Sequence, residues 1–551
     1  MIEEDKQALF LKLKSWYERD IKWALAWRQK AREDYEFYNG EQWSAEDRLV
    51  LQRNRRPVMT FNRIAPLVNA VIGAEINNRR QVRFIPRNLG EAKADDMLTG
   101  LGEWFRYTAN AVDEESEAFA DTVIAGMGWV DTGLDFDNSA DGVPMMQRLD
   151  PFKMAWDCNA TKSNLTDATR MWYVDEKPID QLREMFPDID EAQLDAAWAR
   201  RAPGAAKSGD MVTIVEARWF EYQEAFQAPD IITGEKRVYS AEKLAELLQD
   251  FPNLPHHRFR QRIVKRAFLG AELLGDPDSP LVPHNQLGWE CITGYYNRAE
   301  RQFYGLVRPT KDPQRWANKF FSQVMHVLNS QAKGGLLAER GAFDDDAQAE
   351  ESFARADQIT WLRNGALSAT APRIQPKPAA QFPSGFFQLF EESKNAIMQV
   401  TGLSPEFIGT REVNQPGILE NQRRQSSLNL LAYIFNSLKK YRKRQAMLVL
   451  HLLQNYLSDG RMVRIIGEEN QQYVPLTRAV CAQREYDVIV DDAPTTANEK
   501  ERTFAILQQI LPMIAPYLTP QMGLEMLKYT PLPASLIEKW SAEASVNLPH
   551  K

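Results

Sequence analysis

Over the first 38 residues, Leu9, Leu13, Trp16, Ile21, Leu25 and Ala26 recur at helical intervals among charged positions. That spacing predicts one long amphipathic helix, closed by the turn signal Tyr38-Asn39-Gly40. A second helix is predicted over 62–77. In RRQVRFIPRN, Val82 and Phe84 alternate with Arg83, the pattern of a strand. Residues 91–125 read as mostly helical. From Gly126 to about Tyr296 short alternating runs such as VTIVEARWFEY and RIVKRAFLG dominate between Pro, Gly and Asp turns. This is a strand-rich body with helices near 190–200 and 240–250.

The pattern changes after Tyr304. Asp312 and Pro313 suit an N-cap and first helical position. Trp316, Phe320, Val324 and Leu328 then lie on one helical stripe until Lys333-Gly334-Gly335 stops it. A return helix is predicted over 384–400 with Phe387, Phe390, Ile397 and Val400 inward and Gly402 as its stop. The segment between is a small α/β insert: an apolar run at 336–338, an acidic helix at 344–357 and alternating segments at 359–376. After the loop LSPEFIGTREVNQ, a helix of roughly 60 Å is predicted from Pro416 to Leu457, with a narrow seam of Leu428, Leu431, Phe435 and Leu438. Strand-like residues follow at 461–490, then short Pro-divided helices over 498–543.

Composition narrows the function. With 67 basic against 75 acidic residues the net charge is −8, a poor balance for a tight, sequence-reading DNA binder. Cys158, Cys291 and Cys481 are too few and too scattered for a disulfide framework, which points to a reducing compartment. The N-terminus lacks a signal-peptide core, and no window approaches a membrane span. No phosphate-binding loop, HExxH or GxSxG occurs, and Gly126, Gly128 and Gly133 have the wrong spacing for a dinucleotide fingerprint and instead mark entry into a strand. His256-His257 diverge too much to chelate. The acidic clusters Asp344-Asp345-Asp346 and Asp491-Asp492 lack partners at defined spacing, so neither metal nor cofactor is expected. Lys439, Lys440, Arg442, Lys443 and Arg444 encircle one helix; they read as a phosphate-facing belt or as a solvated surface meeting acidic partners such as Asp491-Asp492.

The order of body, helix, insert, return helix, loop and long helix resembles the portal, or head-to-tail connector, proteins of tailed bacteriophages. The strings YEFYNGEQW at 35–43, RPVMTFNRIAPLVNAVIGAEINNR at 56–79, GMGWV at 126–130, LDPFKMAWDCNAT at 149–161 and YGLVRPTKDPQRWANKFFSQ at 304–323 are similar to portals of short-tailed phages. The resemblance implies an α+β, mainly helical portal fold with no catalytic residues. Its parts are a strand-rich wing (1–305), stem helices (306–331 and 384–402), a clip (332–383), a tunnel loop (403–416), a long helix and C-terminal wing (417–497) and a short helical crown (498–551). It further implies a homo-oligomeric ring of about twelve subunits at one capsid vertex. Double-stranded DNA would pass non-specifically through the ring, packaged by the terminase motor and later ejected. The implied partners are the large terminase subunit, the major capsid and scaffolding proteins and a tail adaptor, with no membrane, in a virion assembled in the host cytoplasm. In that scheme Thr410, Arg411, Glu412, Val413, Asn414 and Gln415 face DNA. The charges Asp344, Asp345, Asp346, Glu350 and Glu351, which suit a helix start, form the terminase-docking surface. The competing readings are a minor head or adaptor protein without a channel and a packaging-motor enzyme.

Overall fold

The structure is a computed structural model that describes residues 3–54, 56–77, 82–86, 92–137, 139–199, 211–231, 234, 236–332, 336–353, 361–367, 373–376, 384–409, 417–456, 462–465, 472–475 and 486–490, with isolated positions beyond. In chain order come helices α1 (Glu3–Asn39), α2 (Ala45–Arg53) and α3 (Ile64–Asn77), strand β1 (Val82–Pro86), and helices α4 (Ala92–Thr108) and α5 (Ala111–Ala125). Strands β2 (Met127–Asp135), β3 (Val143–Leu149), β4 (Met154–Trp156) and β5 (Arg170–Pro178) precede α6 (Ile179–Met185), α7 (Glu191–Leu194), β6 (Met211–Pro229), β7 (Lys236–Tyr239) and α8 (Ala241–Asp250). Then follow β8 (His257–Leu269), β9 (Leu273–Asp278), β10 (Trp289–Thr293), β11 (Tyr295–Asn297) and β12 (Gln302–Tyr304). The last part holds α9 (Val307–Ala332), β13 (Leu336–Ala338), α10 (Asp346–Phe353), β14 (Ile374–Pro376), α11 (Ser384–Thr401), α12 (Gly417–Leu430), α13 (Ala432–Asn455), β15 (Met462–Ile465), β16 (Gln472–Pro475) and β17 (Tyr486–Val490).

The chain divides into two compact units. The first comprises the described parts of Met1–Glu33, Asn69–Gly305 and Leu431–Lys551; the second, Asp34–Val68 with Leu306–Leu430. The first unit holds a three-stranded antiparallel sheet, β10-β2-β3, and a larger sheet running β4-β5-β6-β8-β9 with β7 added on β6. Its aromatic core gathers Trp27, Trp129, Trp156 and Phe303, with Trp27–Trp156 centroids 5.9 Å and Trp129–Trp156 centroids 6.1 Å apart. The predicted strand at Val82–Phe84 pairs antiparallel with β17, both apolar residues buried and Arg83 exposed.

Four expectations need correction. The buried stripe of α1 is Phe10, Leu13, Tyr17, Asp20, Ala24, Trp27 and Ala31, while Leu25 is exposed. Its phase was misread because Asp20 belongs to the core, where its carboxylate accepts bonds from Arg170 and from Trp172 Nε1. The helix expected from Asp312-Pro313 starts at Val307, so Pro313 lies inside it, and the helix near 190–200 is no more than one turn of α-helix. The single long helix is two, α12 and α13, divided by a one-residue turn at Leu431 (φ −82°, ψ −1°) that neither Gly nor Pro announces. The short helices expected over 498–543 fall outside the described residues apart from isolated positions.

Candidate functional site

Within the second unit, α9 buries its polar side. Thr310, Lys311, Gln314, Asn318 and Ser322, at helical spacing, are all nearly inaccessible. They meet the extended segment after α2, whose backbone has no sheet partner. Asn318 Oδ1 accepts from Phe61 N at 2.9 Å, Gln314 Nε2 donates to Phe61 O at 2.8 Å, and Ser322 Oγ accepts from Met59 N at 3.3 Å. Asn318 Nδ2 also donates to Gln42 Oε1 at 2.7 Å. Polar side chains of α9 thus pair the part-buried backbone groups of Met59 and Phe61, which take no part in a sheet among the described residues. At one end Asp34 is clamped by Lys311 at 2.6 Å and Arg308 at 3.1 Å. Burial pushes its carboxyl upward, against the pull of both cations.

With the polar face of α9 inward, its apolar stripe is only partly covered, Phe320 and Val324 being half-buried. Trp316 is 55% exposed, stacked on Phe320 at 5.5 Å, and Leu328 is exposed as well. On α11, Ile397 is buried and Phe390 packs on Phe321 at 5.6 Å. Phe387 and Val400, expected inward, are 55% and 49% exposed, and Leu389 lies open beside them. The insert joins β13 to β14 antiparallel and exposes Leu337, Trp361 and Leu367. Two helices and one insert thus leave several large apolar side chains open.

Of the other candidate residues, Asp345 Oδ1 caps α10, accepting from Ala347 N at 2.9 Å, and Asp344 lies 3.8 Å from Arg363. Asp346 and Glu350 lie on α10 with Glu351; the side chains of these three are outside the described residues, and so is the whole stretch Thr410, Arg411, Glu412, Val413, Asn414 and Gln415. The described residues just before it are anchored: Leu403 and Phe407 are buried, and Ser404 N donates to Ser427 Oγ at 3.1 Å. In the first unit the five-cation group on α13 divides. Arg442 is buried between Glu75 (2.7 Å) and Glu115 (3.2 Å), and Arg444 pairs with buried Glu290 at 2.8 Å. Lys440 and Lys443 are exposed, and Lys439 is half-buried. The arginines are therefore internal counter-ions, to glutamates the sequence reading did not connect with them, rather than part of a belt.

One cluster of potential metal ligands occurs among the described residues: Asp20, Asp157 and Cys158. Arg170 already occupies it, 2.7 Å from Asp20 and 3.0 Å from Asp157, so a guanidinium supplies the positive charge. On α13, His451 is partly buried, its Nε2 meeting no acceptor among the described residues. Burial, reinforced by His284, holds its imidazole down at about 4. The unfolded chain binds that proton near pH 6.5 and the folded chain does not, so stability falls as pH drops from about 6.5 to 4. Thermal melts at pH 7 and 5 should show a loss on the order of 1 kcal/mol that His451→Gln reduces. An identical pH response in both proteins would refute this.

These features, a sheet-rich body and a helix pair with an insert and an open apolar face, define a structural assembly protein. Residues 14–548 match the family described as phage P22-like portal protein, and the chain belongs to that family. It is thus a phage portal, the head-to-tail connector through which DNA passes and a component of the virion; the family is structural, not enzymatic. The portal protein of Helicobacter pylori bacteriophage KHP30 is 20% identical over 528 residues, covering 93% of this chain and 79% of that protein. A solved chain from the neck of an empty GTA particle, computed with C6 symmetry, aligns over 89% of this chain and 95% of its own, at 14% identity and a TM-score of 0.38. No helix among the described residues is long and apolar enough to cross a membrane.

Proposed function

We propose that copies of this chain close into a ring of about twelve at one capsid vertex. In this reading α9 and α11 are the stem, residues 332–383 the clip that docks the terminase motor, and 403–416 a tunnel loop placing Arg411 beside passing DNA. The N-terminal body and 417–497 form the wing and 498–551 the crown. Scaffolding and capsid proteins surround the ring, and a tail adaptor closes it. The observation that carries the reading is the inverted α9 helix, polar side in and Trp316 side out. A lone subunit gains nothing by exposing that stripe, whereas a head-to-tail neighbour would cover it.

Negative-stain imaging and mass photometry test this directly. The wild type is expected as toroids with an axial hole, and the Trp316→Asp, Phe387→Asp double variant as folded single subunits with an unchanged circular dichroism spectrum. Wild-type protein that stays monomeric at micromolar concentration overturns the ring, and intact rings in the double variant remove α9 and α11 from its interface.

A further inference from the structure

Strands β6 and β8 pair over thirteen positions, from Val215↔Leu269 to Gln227↔His257. In its outer half β8 has a free edge, because β9 pairs β8 no further out than Arg266; β5 stops pairing β6 at Trp219, and β7 pairs β6 from Phe226 outward. One face of this ribbon carries Arg258, Arg260 and Arg262 opposite Phe226, Glu224 and Tyr222. All three arginines are exposed, and Tyr222 is 67% exposed. Arg258 bonds Glu224, the single acid of that outer face. The Arg262 guanidinium stacks 4.1 Å above the Phe220 ring. Among the described residues neither Arg260 nor Arg262 has a carboxylate partner.

From this arrangement we infer that the exposed face of the β6–β8 ribbon binds the phosphate backbone of double-stranded DNA, a contact separate from any made in a channel. Arginines at every second residue repeat about every 6.8 Å along a strand. Duplex DNA presents a dense row of phosphate targets, with one negative charge per about 1.7 Å of helix axis when both strands are counted. The cations are all arginine, whose planar fork suits phosphate oxygens, and the Phe220 ring supports the Arg262 guanidinium without neutralising it. Charges that only guard a free strand edge need neither feature, and lysine is the usual choice there. An acidic peptide adding to the free edge of β8 would engage its backbone groups, whereas these arginines project from the face. Two unpaired cations on each copy make the contact weak alone and strongly salt-dependent, which leaves DNA free to move.

The test uses the full chain and a random-sequence 30-base-pair duplex, followed by fluorescence anisotropy between about 50 and 200 mM salt. Each phosphate contact contributes about 0.9 to the slope of log affinity against log salt. The Arg260→Ala, Arg262→Ala variant should therefore flatten the slope by about 2 and lose roughly tenfold less affinity across that range than the wild type. Lys243→Ala, on α8, should behave as the wild type. Mass photometry on the same samples reads assembly independently, so loss of DNA binding with unchanged assembly supports the inference whether or not rings form. An unchanged slope in the Arg260→Glu, Arg262→Glu variant overturns it. Unchanged DNA binding with altered assembly also overturns it, and makes the face a contact between copies.

Discussion

Arg442→Met should destabilise the first unit by about 3–5 kcal/mol, among the largest effects of any single substitution in the chain. Arg442 is 4% exposed, and its guanidinium joins Glu75 of α3 to Glu115 of α5. Glu115 is held on its other side by Arg106 of α4, at 2.8 and 2.7 Å, and Glu75 by Ser116 Oγ at 2.8 Å. Two arginines and two glutamates on four helices thus balance within the core. Methionine fills similar volume but leaves Glu75 with one hydroxyl donor and Glu115 with one cation, so a buried negative charge goes uncompensated. Burial alone would raise the Glu115 carboxyl; Arg106 and Arg442 overcome that and hold it down at about 2. Its stabilising contribution is complete above the unfolded value near 4.5 and is lost as pH falls from there toward 2. In the variant the deficit should shrink on acidification, because protonation removes the unpaired charge. Urea unfolding at pH 7 and 4.5 checks both points, and the Glu75→Gln, Arg442→Met pair should cost less than the two single changes added. A single variant within about 1 kcal/mol of wild type at pH 7 would show that the network is not coupled to folding.

Gly128→Ala is expected to prevent the first unit from folding, or to cost more than about 4 kcal/mol. A Cβ at Gly128 would stand 1.8 Å from the carbonyl oxygen of Ala118 and 2.8 Å from Thr122 Oγ1. The obstacle is helix backbone, so no rotamer relieves it; β2 and α5 must separate, taking the Trp129–Trp156 contact with them. Two residues earlier Gly126 ends α5 in the left-handed region (φ 93°), with Tyr304 backbone 2.4 Å from where its Cβ would lie. Gly133, on the same strand, meets nothing nearer than the Met145 Cε at 3.7 Å. Gly133→Ala is the matched control and should change stability by less than about 1 kcal/mol. Soluble yield and melting temperature of the two variants decide the matter, and comparable values in both would mean that α5 and β2 are not held at this distance.

The glycines show how a local reading can be right and incomplete. Gly126 and Gly128 do stand at a strand entry, as their place before an alternating run suggested. Why they must be glycine depends on Ala118, ten residues before Gly128, and on Tyr304, 178 residues after Gly126. The cations of α13 divide in the same manner. Lys440 and Lys443 are solvated, whereas Arg442 and Arg444 are committed to Glu75, Glu115 and Glu290. No spacing within KKYRKR separates the two kinds. The usable signal was arginine rather than lysine at the two inward positions, since arginine tolerates burial in a bidentate pair.

By itself the sequence determined the strand at Val82–Phe84, the strand-rich run after Gly126, the helix–insert–helix order that follows Tyr304, and the family resemblance carried by strings such as YEFYNGEQW. Each is a local periodicity or a short motif, imposed by how side chains alternate along a strand or wind around a helix. Tertiary structure alone decided which face of α1 and of α9 is buried. Hydrophobic periodicity finds that face when the partner surface is apolar. On α1 the buried stripe includes Asp20 because Arg170 and Trp172 arrive to meet it, and on α9 it is polar because the backbone near Phe61 needs amide partners. A buried polar group is stable only when its partner is in place, and those partners lie about 150 and 250 residues away along the chain.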